Sequence, residues 1–509
     1  MSRFKDKSIR TVAFMMAATV LSKILGLVRE MMLAAAYGAG NSTAEAFSAA
    51  LSVPSTFFDI LFSAAILGCF IPVYNSFRDN DEDADRFACI FLNATALLTG
   101  ALALLGILFA GLVIRVVAPG LADPDLAVRI VRILFPMIIF TGMAYTLVGL
   151  MQSKGRFFLP ALISSISNAG VIFYFLFLNR YFGIYGLAVA YGASWLIQFL
   201  TLAIPLANSG FRFRATLALR DPHFVMALKM VPPIMVGSWL SPMTILLGKH
   251  FASFSDGVAV FNYANQTYIM IAGILVYSIC NYVFPTLSRL ADSGDRAAFH
   301  TTVRTGTSTA LFLIVPVTAA VIVLCGEGVS ILYLRGEYTE QNAMDTAYAL
   351  RLIALAMPAY GLIEIFSRVF YAKKQTRFPM IAAIGGVLVI GGVCAFCVHV
   401  LGFGIGAVAL AVAIGQWCAA GVLIVSTVCT MRALFSRDFL ISLGKILVCG
   451  GASFLVMELC YRLIGNQPYT AGLMVNVGVC ALVFAAGAVC YLALAWLLRA
   501  FPKGGQSTL

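Results

Sequence analysis

Fourteen apolar stretches follow one another along this chain of 509 residues. About 20 apolar residues are enough to cross the hydrocarbon layer of a membrane. The chain is 61% hydrophobic and 11% charged, whereas a soluble domain is about a quarter charged. Because a segment in lipid must satisfy its own backbone polar groups, the pattern predicts an all-α integral membrane protein of about 14 transmembrane helices. The predicted spans are 10–37, 44–76, 86–115, 126–152, 157–179, 184–207, 223–250, 257–288, 300–325, 343–371, 378–401, 404–431, 439–463 and 470–498.

Basic residues in the connecting loops alternate between a rich set and a sparse set. The rich set includes both ends of the chain, while the sparse set consists mainly of Arg180, Lys249, Arg335 and Arg462. Cytoplasmic loops carry the excess of Lys and Arg, so we expect a multi-pass protein with both termini in the cytoplasm. The same rule accounts for the net charge of +12, and we expect no nucleic-acid partner.

The chain contains an internal repeat. The segment LMQSKGRFFLPALIS follows the fourth predicted span and VFYAKKQTRFPMIAA follows the tenth, so that Lys154 matches Lys373. The second and eighth spans also align, with Pro72 matching Pro285. Repeats of the same topology are typical of transporters, with the substrate site between the repeats near the midplane. We therefore predict two six-helix lobes at 1–210 and 211–432, and two further helices with a short cytoplasmic tail at 433–509.

The first apolar run carries three charged residues, Lys23, Arg29 and Glu30. One charged side chain at the bilayer centre costs about 2.5–3.5 kcal/mol on insertion scales. The three lie on one helical stripe with Thr19, Ser22 and Gly26, because these six residues recur at spacings of three and four. This stripe predicts a water-filled cavity, with a structural ion-pair network as the alternative. Cations in a cavity favour an anionic cargo, since arginine makes paired hydrogen bonds with phosphate.

A few other ionisable residues lie in apolar surroundings. Lys23 and Asp59 are expected at similar depth on neighbouring spans and are candidates for an ion pair. Glu364 and Arg368 are one helical turn apart and can pair along the tenth span. The sequence has no P-loop, no G-x-S-x-G and no H-E-x-x-H motif. We therefore expect a transporter rather than an enzyme, with no cofactor and no metal site.

Two segments resemble a known family. SKILGLVREMMLAAAYGAGNSTAEAF and VSILYLRGEYTEQNAMDTAYALRLIALAMPAYGLIEIFSRVFYAKKQTRFP are similar to the MurJ (MviN) family of lipid II flippases. The resemblance implies the fold of the MOP exporter superfamily, with the last two helices forming a groove for a lipid tail. It also implies a bacterial cytoplasmic membrane protein that moves undecaprenyl-pyrophosphate-linked peptidoglycan precursor to the outer leaflet. The implied partners are this glycopeptide lipid, membrane lipids and cell-wall synthesis proteins.

The resemblance extends to individual charged residues of the first two spans. Lys23 stands where the family commonly has arginine, and Arg29 and Glu30 match its Arg-Asp pair. Glu45 matches the acid of the family's A-x-D-A-F segment. We therefore expect Lys23 and Arg29 to contact the diphosphate or the acidic peptide, while Glu30, Glu45 and Asp59 hold these cations in place.

This sequence also departs from the family's pattern. The paired arginines of the second span are replaced by Phe58 and Asp59, and a lysine of the tenth span is replaced by Glu364. The family's Y-A-D-R reads Y-A-N-Q here, so Asn265 and Gln266 offer only neutral hydrogen bonds. The cavity is therefore expected to be less cationic than is usual in the family.

Three other functions remain compatible with the residues. The first is a flippase for another polyprenyl-linked oligosaccharide, such as a capsule, teichoic acid or O-antigen unit. The second is a cation-coupled drug exporter of the MATE type, which Asp59 and Glu364 leave open. The third is a membrane scaffold that transports nothing. The residues do not indicate whether transport is coupled to membrane potential, Na⁺ or H⁺.

Overall fold

The computed structural model of the protein describes the backbone of residues 2–77, 81–209, 211–237 and 240–501. Within these ranges it does not describe the side chains of 2–16, 19, 57–65, 67, 81, 233, 235–237, 277–278, 281–282 and 292. The described backbone is helical and contains no strand. Its α-helices are α1 Ser2–Tyr37, α2 Ser42–Leu51, α3 Asp59–Tyr74, α4 Asp81–Leu108, α5 Ala110–Val117, α6 Pro124–Leu134, α7 Met137–Ser153, α8 Phe158–Phe177, α9 Asn179–Ala207, α10 Pro222–Gly237, α11 Leu240–Ala252, α12 Val258–Ser293, α13 Arg296–Val323, α14 Cys325–Tyr333, α15 Glu340–Ala354, α16 Met357–Ala372, α17 Arg377–Ala395, α18 Ile405–Thr430, α19 Arg437–Ile464 and α20 Leu473–Leu497.

Several of these helices are long and apolar enough to cross a membrane. Among the described residues ten helices meet this condition, and an eleventh span is formed if α15 and α16, which meet at 45°, count as one. The protein is therefore a multi-pass membrane protein, and the all-α prediction is confirmed. The number of fourteen spans stays a prediction, although every predicted span contains helix in the structure.

The second predicted span is broken rather than continuous. A π-helical segment, Ser52–Phe58, separates α2 from α3 and contains Pro54. Proline has no N–H to donate and its ring clashes with the preceding turn, so a helix changes register or kinks there. Short π-helical segments inside α-helices occur frequently at functional sites. Several charged residues lie close to this one, as described below.

The first of two compact units comprises Met1–Tyr37 and Asn41–Asp256. In it α1 packs against α8, α8 against α9, and α3 against α7 and α10. Its core contains packed phenylalanine rings: Phe70 stacks on Phe87 with ring centroids 5.5 Å apart and meets Phe91 edge to face at 5.2 Å. The unit extends beyond residue 210, because α10 and α11 pack against α3 and the π-helical segment.

The second unit comprises Gly257–Leu509 together with the turn Gly38–Gly40. Helix α12 packs against α13, α15 and α16, while α16 and α17 pack against α18. The C-terminal helices α19 and α20 pack against each other and against α13 and α14. Gly38 has φ +65°, and a Cβ atom there would lie 2.6 Å from the carbonyl oxygen of Glu337, so only glycine fits this turn. The three-domain division at residues 210 and 432 stays a prediction.

Candidate functional site

Arg29 and Glu30 form an ion pair inside the first unit. Arg29 Nη2 donates to Glu30 Oε1 at 2.6 Å, and Arg29 Nη1 donates to Asn168 Oδ1 of α8 at 3.0 Å. The guanidinium also lies 5.6 Å from the ring centroid of Tyr191 on α9. Glu30 is only 4% exposed. Arg29 is thus held by two neighbouring helices, α8 and α9, besides its charge partner on α1.

The hydrogen bonds of this pair are incomplete. Arg29 Nε and Glu30 Oε2 are both buried and have no hydrogen-bond partner among the described residues. A guanidinium has five N–H donors, and an ionised carboxylate has about four lone-pair sites. Each of the two side chains therefore keeps capacity for a further polar group, which is a property expected of a binding site.

Lys249 is a further charged residue of this region. We predicted it as a loop residue on the sparse side of the membrane, and the structure shows this to be wrong. It lies on α11, is only 3% exposed, and donates from Nζ to the carbonyl oxygen of Ser48 at 2.8 Å. The negative charges of Glu30 and Glu45 both act on it. Glu45 is itself 3% exposed at the start of α2.

The carbonyl group of Ser48 is available because the helix changes register at this point. The backbone N–H of Ser52 bonds to Ala49 instead of Ser48. The Ser48 oxygen instead accepts Ser52 Oγ at 2.7 Å in addition to Lys249 Nζ. The break in the second span and the buried lysine are therefore parts of one arrangement. Arg29, Glu30, Glu45 and Lys249, which we call the buried charge cluster, contain two positive and two negative groups.

Lys23 does not join this cluster. The side chain of Lys23 is exposed, unlike those of Arg29 and Glu30 on the same helix. The side chain of Asp59 lies outside the described residues, so the Lys23–Asp59 pair stays a prediction. The stripe on α1 therefore has a buried, paired end and an exposed cationic end.

The second unit contains the predicted pair on α16. Arg368 Nη1 donates to a carboxylate oxygen of Glu364 and, at 2.8 Å, to the Glu364 carbonyl oxygen. Both side chains are partly exposed. The carboxylate also acts on Tyr268 of α12, whose buried hydroxyl makes no hydrogen bond to any described residue. The structure thus confirms the pairing, while its contact with cargo stays a prediction.

Asn265 and Gln266 lie on different faces of α12. Asn265 is 4% exposed, whereas Gln266 is exposed. Gln266 is therefore the more accessible of the two amides. The predicted role of both in binding cargo stays a prediction.

Asn168, Tyr191 and Lys249 were not among the predicted site residues. Lys249 had a usable signal, because a lysine inside an apolar helix is expensive and needs a partner. Asn168 and Tyr191 had none, since neither residue type is unusual in a membrane helix and only packing brings them to Arg29. Among the described residues no group of three or more His, Cys, Asp or Glu side chains is arranged to hold a metal ion.

The Glu364–Arg368 pair gives a first testable prediction. We expect Arg368→Ala to reduce stability more than the double change Glu364→Ala and Arg368→Ala, because the single change leaves a partly buried carboxylate unpaired. The coupling energy is expected to be about 1 kcal/mol, above the usual value for an exposed helical pair. Unfolding of all four members of the double-mutant cycle measures it. Additive effects would show that the pair contributes no net stability.

The sequence of the chain matches one protein-family model over most of its length. The model describes the lipid II flippase MurJ and matches residues 33–479. The chain belongs to the MurJ family of lipid II flippases. The resemblance predicted from the first and tenth spans is thereby confirmed, and with it the assignment to a family of transporters.

Individual relatives agree with this family assignment, and solved structures agree with the predicted fold. A probable lipid II flippase MurJ of Bdellovibrio bacteriovorus is 27% identical over 391 residues, covering 74% of each chain. That of Rickettsia prowazekii is 23% identical over 489 residues, covering 94% of this chain and 96% of the relative. A structure of lipid II flippase MurJ in an inward closed conformation has a TM-score of 0.81 at 22% identity, covering 96% of this chain. An inward-facing MATE transporter of the MOP superfamily has a TM-score of 0.67 at 16% identity over 81% of this chain. The predicted MOP fold is thereby confirmed.

Proposed function

We propose that this protein is a lipid II flippase that moves its cargo from the inner to the outer leaflet of the bacterial cytoplasmic membrane by alternating access. The observation that carries the proposal is the MurJ family match over residues 33–479. The buried Arg29–Glu30 pair supports it, because a guanidinium with an unused buried N–H suits a diphosphate. Both termini are proposed to lie in the cytoplasm, where the basic loops place them.

The buried charge cluster would bind the cargo by exchanging partners. Its four charges cancel, so we propose that Arg29, Lys249 and the exposed Lys23 stabilise the negative charge that an approaching diphosphate adds. We propose that the diphosphate competes with Glu30 for Arg29, while Lys249 remains with Glu45. A cargo that binds one conformation of the carrier better than the other shifts the equilibrium between them. Partner exchange at Arg29 provides such a difference in affinity.

The second unit would contribute polar contacts of a different kind. We propose that Gln266 donates neutral hydrogen bonds and that the Glu364–Arg368 pair offers its guanidinium to the acidic peptide portion of the cargo. Membrane potential acts at about 2.3 kcal/mol per charge per 100 mV. We propose it as the driving force that resets the carrier, with Na⁺ and H⁺ as the competing candidates. No cofactor is required in this scheme.

Complementation tests the proposal directly. The host's own lipid II flippase is depleted, this chain is expressed, and lipid II accessible at the outer surface is measured along with growth. We expect growth to recover together with outer-surface lipid II. Growth that recovers without outer-surface lipid II, or lipid II that stays inside at full expression, would contradict the proposal. Export of a fluorescent cationic drug without lipid II export would instead support the MATE-type alternative.

A further inference from the structure

The repeat matches Lys154 with Lys373, and the charged groups around these two lysines differ. In the first unit Lys154, which follows α7, pairs with Asp85 of α4 at 2.8 Å. The hydroxyl of Tyr74 donates to the same carboxylate at 2.9 Å. The positive charge of Lys154 is thus paired with a carboxylate of the same unit. The repeat places Lys373, which follows α16, in the corresponding position of the second unit, and it makes α13 the counterpart of α4.

The surroundings of Lys373 are cationic. Its Nζ lies 5.0 Å from the ring centroid of Phe299 on α13. Residues Arg296, His300 and Arg304 follow one another along one side of α13, and the charges of Lys373, Arg304 and Arg296 all act on His300. Among the side chains that the structure describes, no carboxylate forms an ion pair with Arg296, Arg304 or Lys373. The nearby carboxylate of Asp295 accepts the backbone N–H of Ala298.

The hydrogen bonds of these cations do not cancel their charge. Arg304 Nε donates to the carbonyl oxygen of Leu434 at 2.7 Å, which fixes its guanidinium against the turn after α18. A carbonyl group is neutral, so the charge of Arg304 stays uncompensated. Partial burial and, second, the positive charge of Arg296 lower the pKa of Lys373 below its ordinary value. A bound anion would offset both effects.

We propose that the phosphate of an anionic phospholipid headgroup binds between Arg296, His300, Arg304 and Lys373, where the first repeat has the carboxylate of Asp85. Basic pockets between membrane helices on the cytoplasmic side are suited to such headgroups, and arginine and lysine both bind phosphate. Helix α19, which packs against α13, exposes Leu440 and Ile441 near its start and offers apolar surface to acyl chains. The site goes beyond the proposed function and does not depend on which cargo is moved; it requires only the proposed orientation.

Native mass spectrometry of the full-length protein tests the site with dioleoyl phosphatidylglycerol as the probe. We expect the double change Arg296→Gln and Lys373→Met to weaken binding of this lipid by about 30-fold, since two basic residues are lost. His300→Asp keeps every arginine and lysine but supplies the carboxylate that the first repeat has, and it should also weaken binding. The matched control is Lys154→Met, which should leave the affinity within about twofold because Asp85 already occupies that position.

Two further arms identify the source of the phosphate. Phosphatidylcholine should bind equally to all variants, because its headgroup has no net charge. Inorganic phosphate at a tenfold excess over the lipid should not displace phosphatidylglycerol. Equal binding of phosphatidylglycerol by wild type and by His300→Asp, with both proteins melting at the same temperature, would overturn the site. Displacement by inorganic phosphate would overturn the assignment to a lipid. If the wild-type protein delivers no lipid II to the outer surface in the complementation experiment, only the proposed function is overturned and the lipid site is not.

Discussion

Arg29→Ala is expected to abolish rescue of a flippase-depleted strain, and Arg29→Lys to restore it only in part. The guanidinium bonds Glu30 and Asn168 at the same time and rests on Tyr191. Hydrogen bonds to charged groups contribute about 1.5–3 kcal/mol each, so losing the cargo contact lowers transport by about tenfold or more. Lysine retains the charge, but it lacks the planar fork that serves two partners at once. Outer-surface lipid II at matched expression is the measurement.

Glu30→Ala completes this test. Its removal frees Arg29 but leaves the buried charge cluster with two cations and only Glu45, so we expect the carrier to hold the diphosphate too tightly and to transport slowly. Arg115→Ala is the control, because Arg115 is an exposed arginine on α5. Full rescue by both Arg29→Ala and Glu30→Ala would show that the charged stripe on α1 is not needed for transport, whatever the cargo is.

Residues close together in sequence were predicted better than residues brought together by packing. Glu364 and Arg368 lie one turn apart on one helix, so helical geometry alone is enough to pair them. Arg29 and Glu30 are adjacent in sequence, so their pairing needs no packing of distant segments. The partners from other helices, Asn168 and Lys249, depend on how α8 and α11 pack against α1 and α2. Periodicity and hydropathy carry no information about which helices touch.

Lys249 shows that a rule based on loop charge can misassign a residue near the end of a membrane span. Counting loop charge assigned it to the outer side because it lies at the end of an apolar run. The structure instead provides two carboxylates and a freed carbonyl group, and so the lysine is buried in α11. The signal that would have found it was the pair of acids, Glu30 and Glu45, which already lay in apolar surroundings and needed cations.

The fold itself was predictable because membrane helices are specified by composition. A run of about 20 apolar residues has few alternatives to a helix in lipid. The break at Ser52–Phe58 was less predictable, since many membrane helices tolerate proline without a change of register. The register change near Pro54 is accompanied by a contact from another helix. Lys249 of α11 binds the Ser48 carbonyl group that the register change makes available.

Lys249→Met is expected to lower the free energy of unfolding by about 3–5 kcal/mol, the cost of removing one charge from a buried set of opposite charges. Methionine has nearly the volume of lysine, so the change removes the charge without leaving a large cavity. It leaves Glu30 and Glu45 with Arg29 as their only cation within the cluster. Unfolding by SDS titration in mixed micelles measures the effect. Lys229→Met, the same change at an exposed residue of α10, should stay within about 0.5 kcal/mol.

A second substitution added to Lys249→Met tests whether the unbalanced charge of the cluster causes the loss of stability. Adding Glu45→Gln to Lys249→Met returns the cluster to one cation and one anion, so most of the lost stability should return. Adding Glu30→Gln instead removes the partner of Arg29, and it should recover less. If both double variants are as unstable as Lys249→Met alone, the cost comes from the lost bond to Ser48 and not from unpaired carboxylates. The lysine would then act by holding the broken second span against α11, and partner exchange at Arg29 would have to proceed without it.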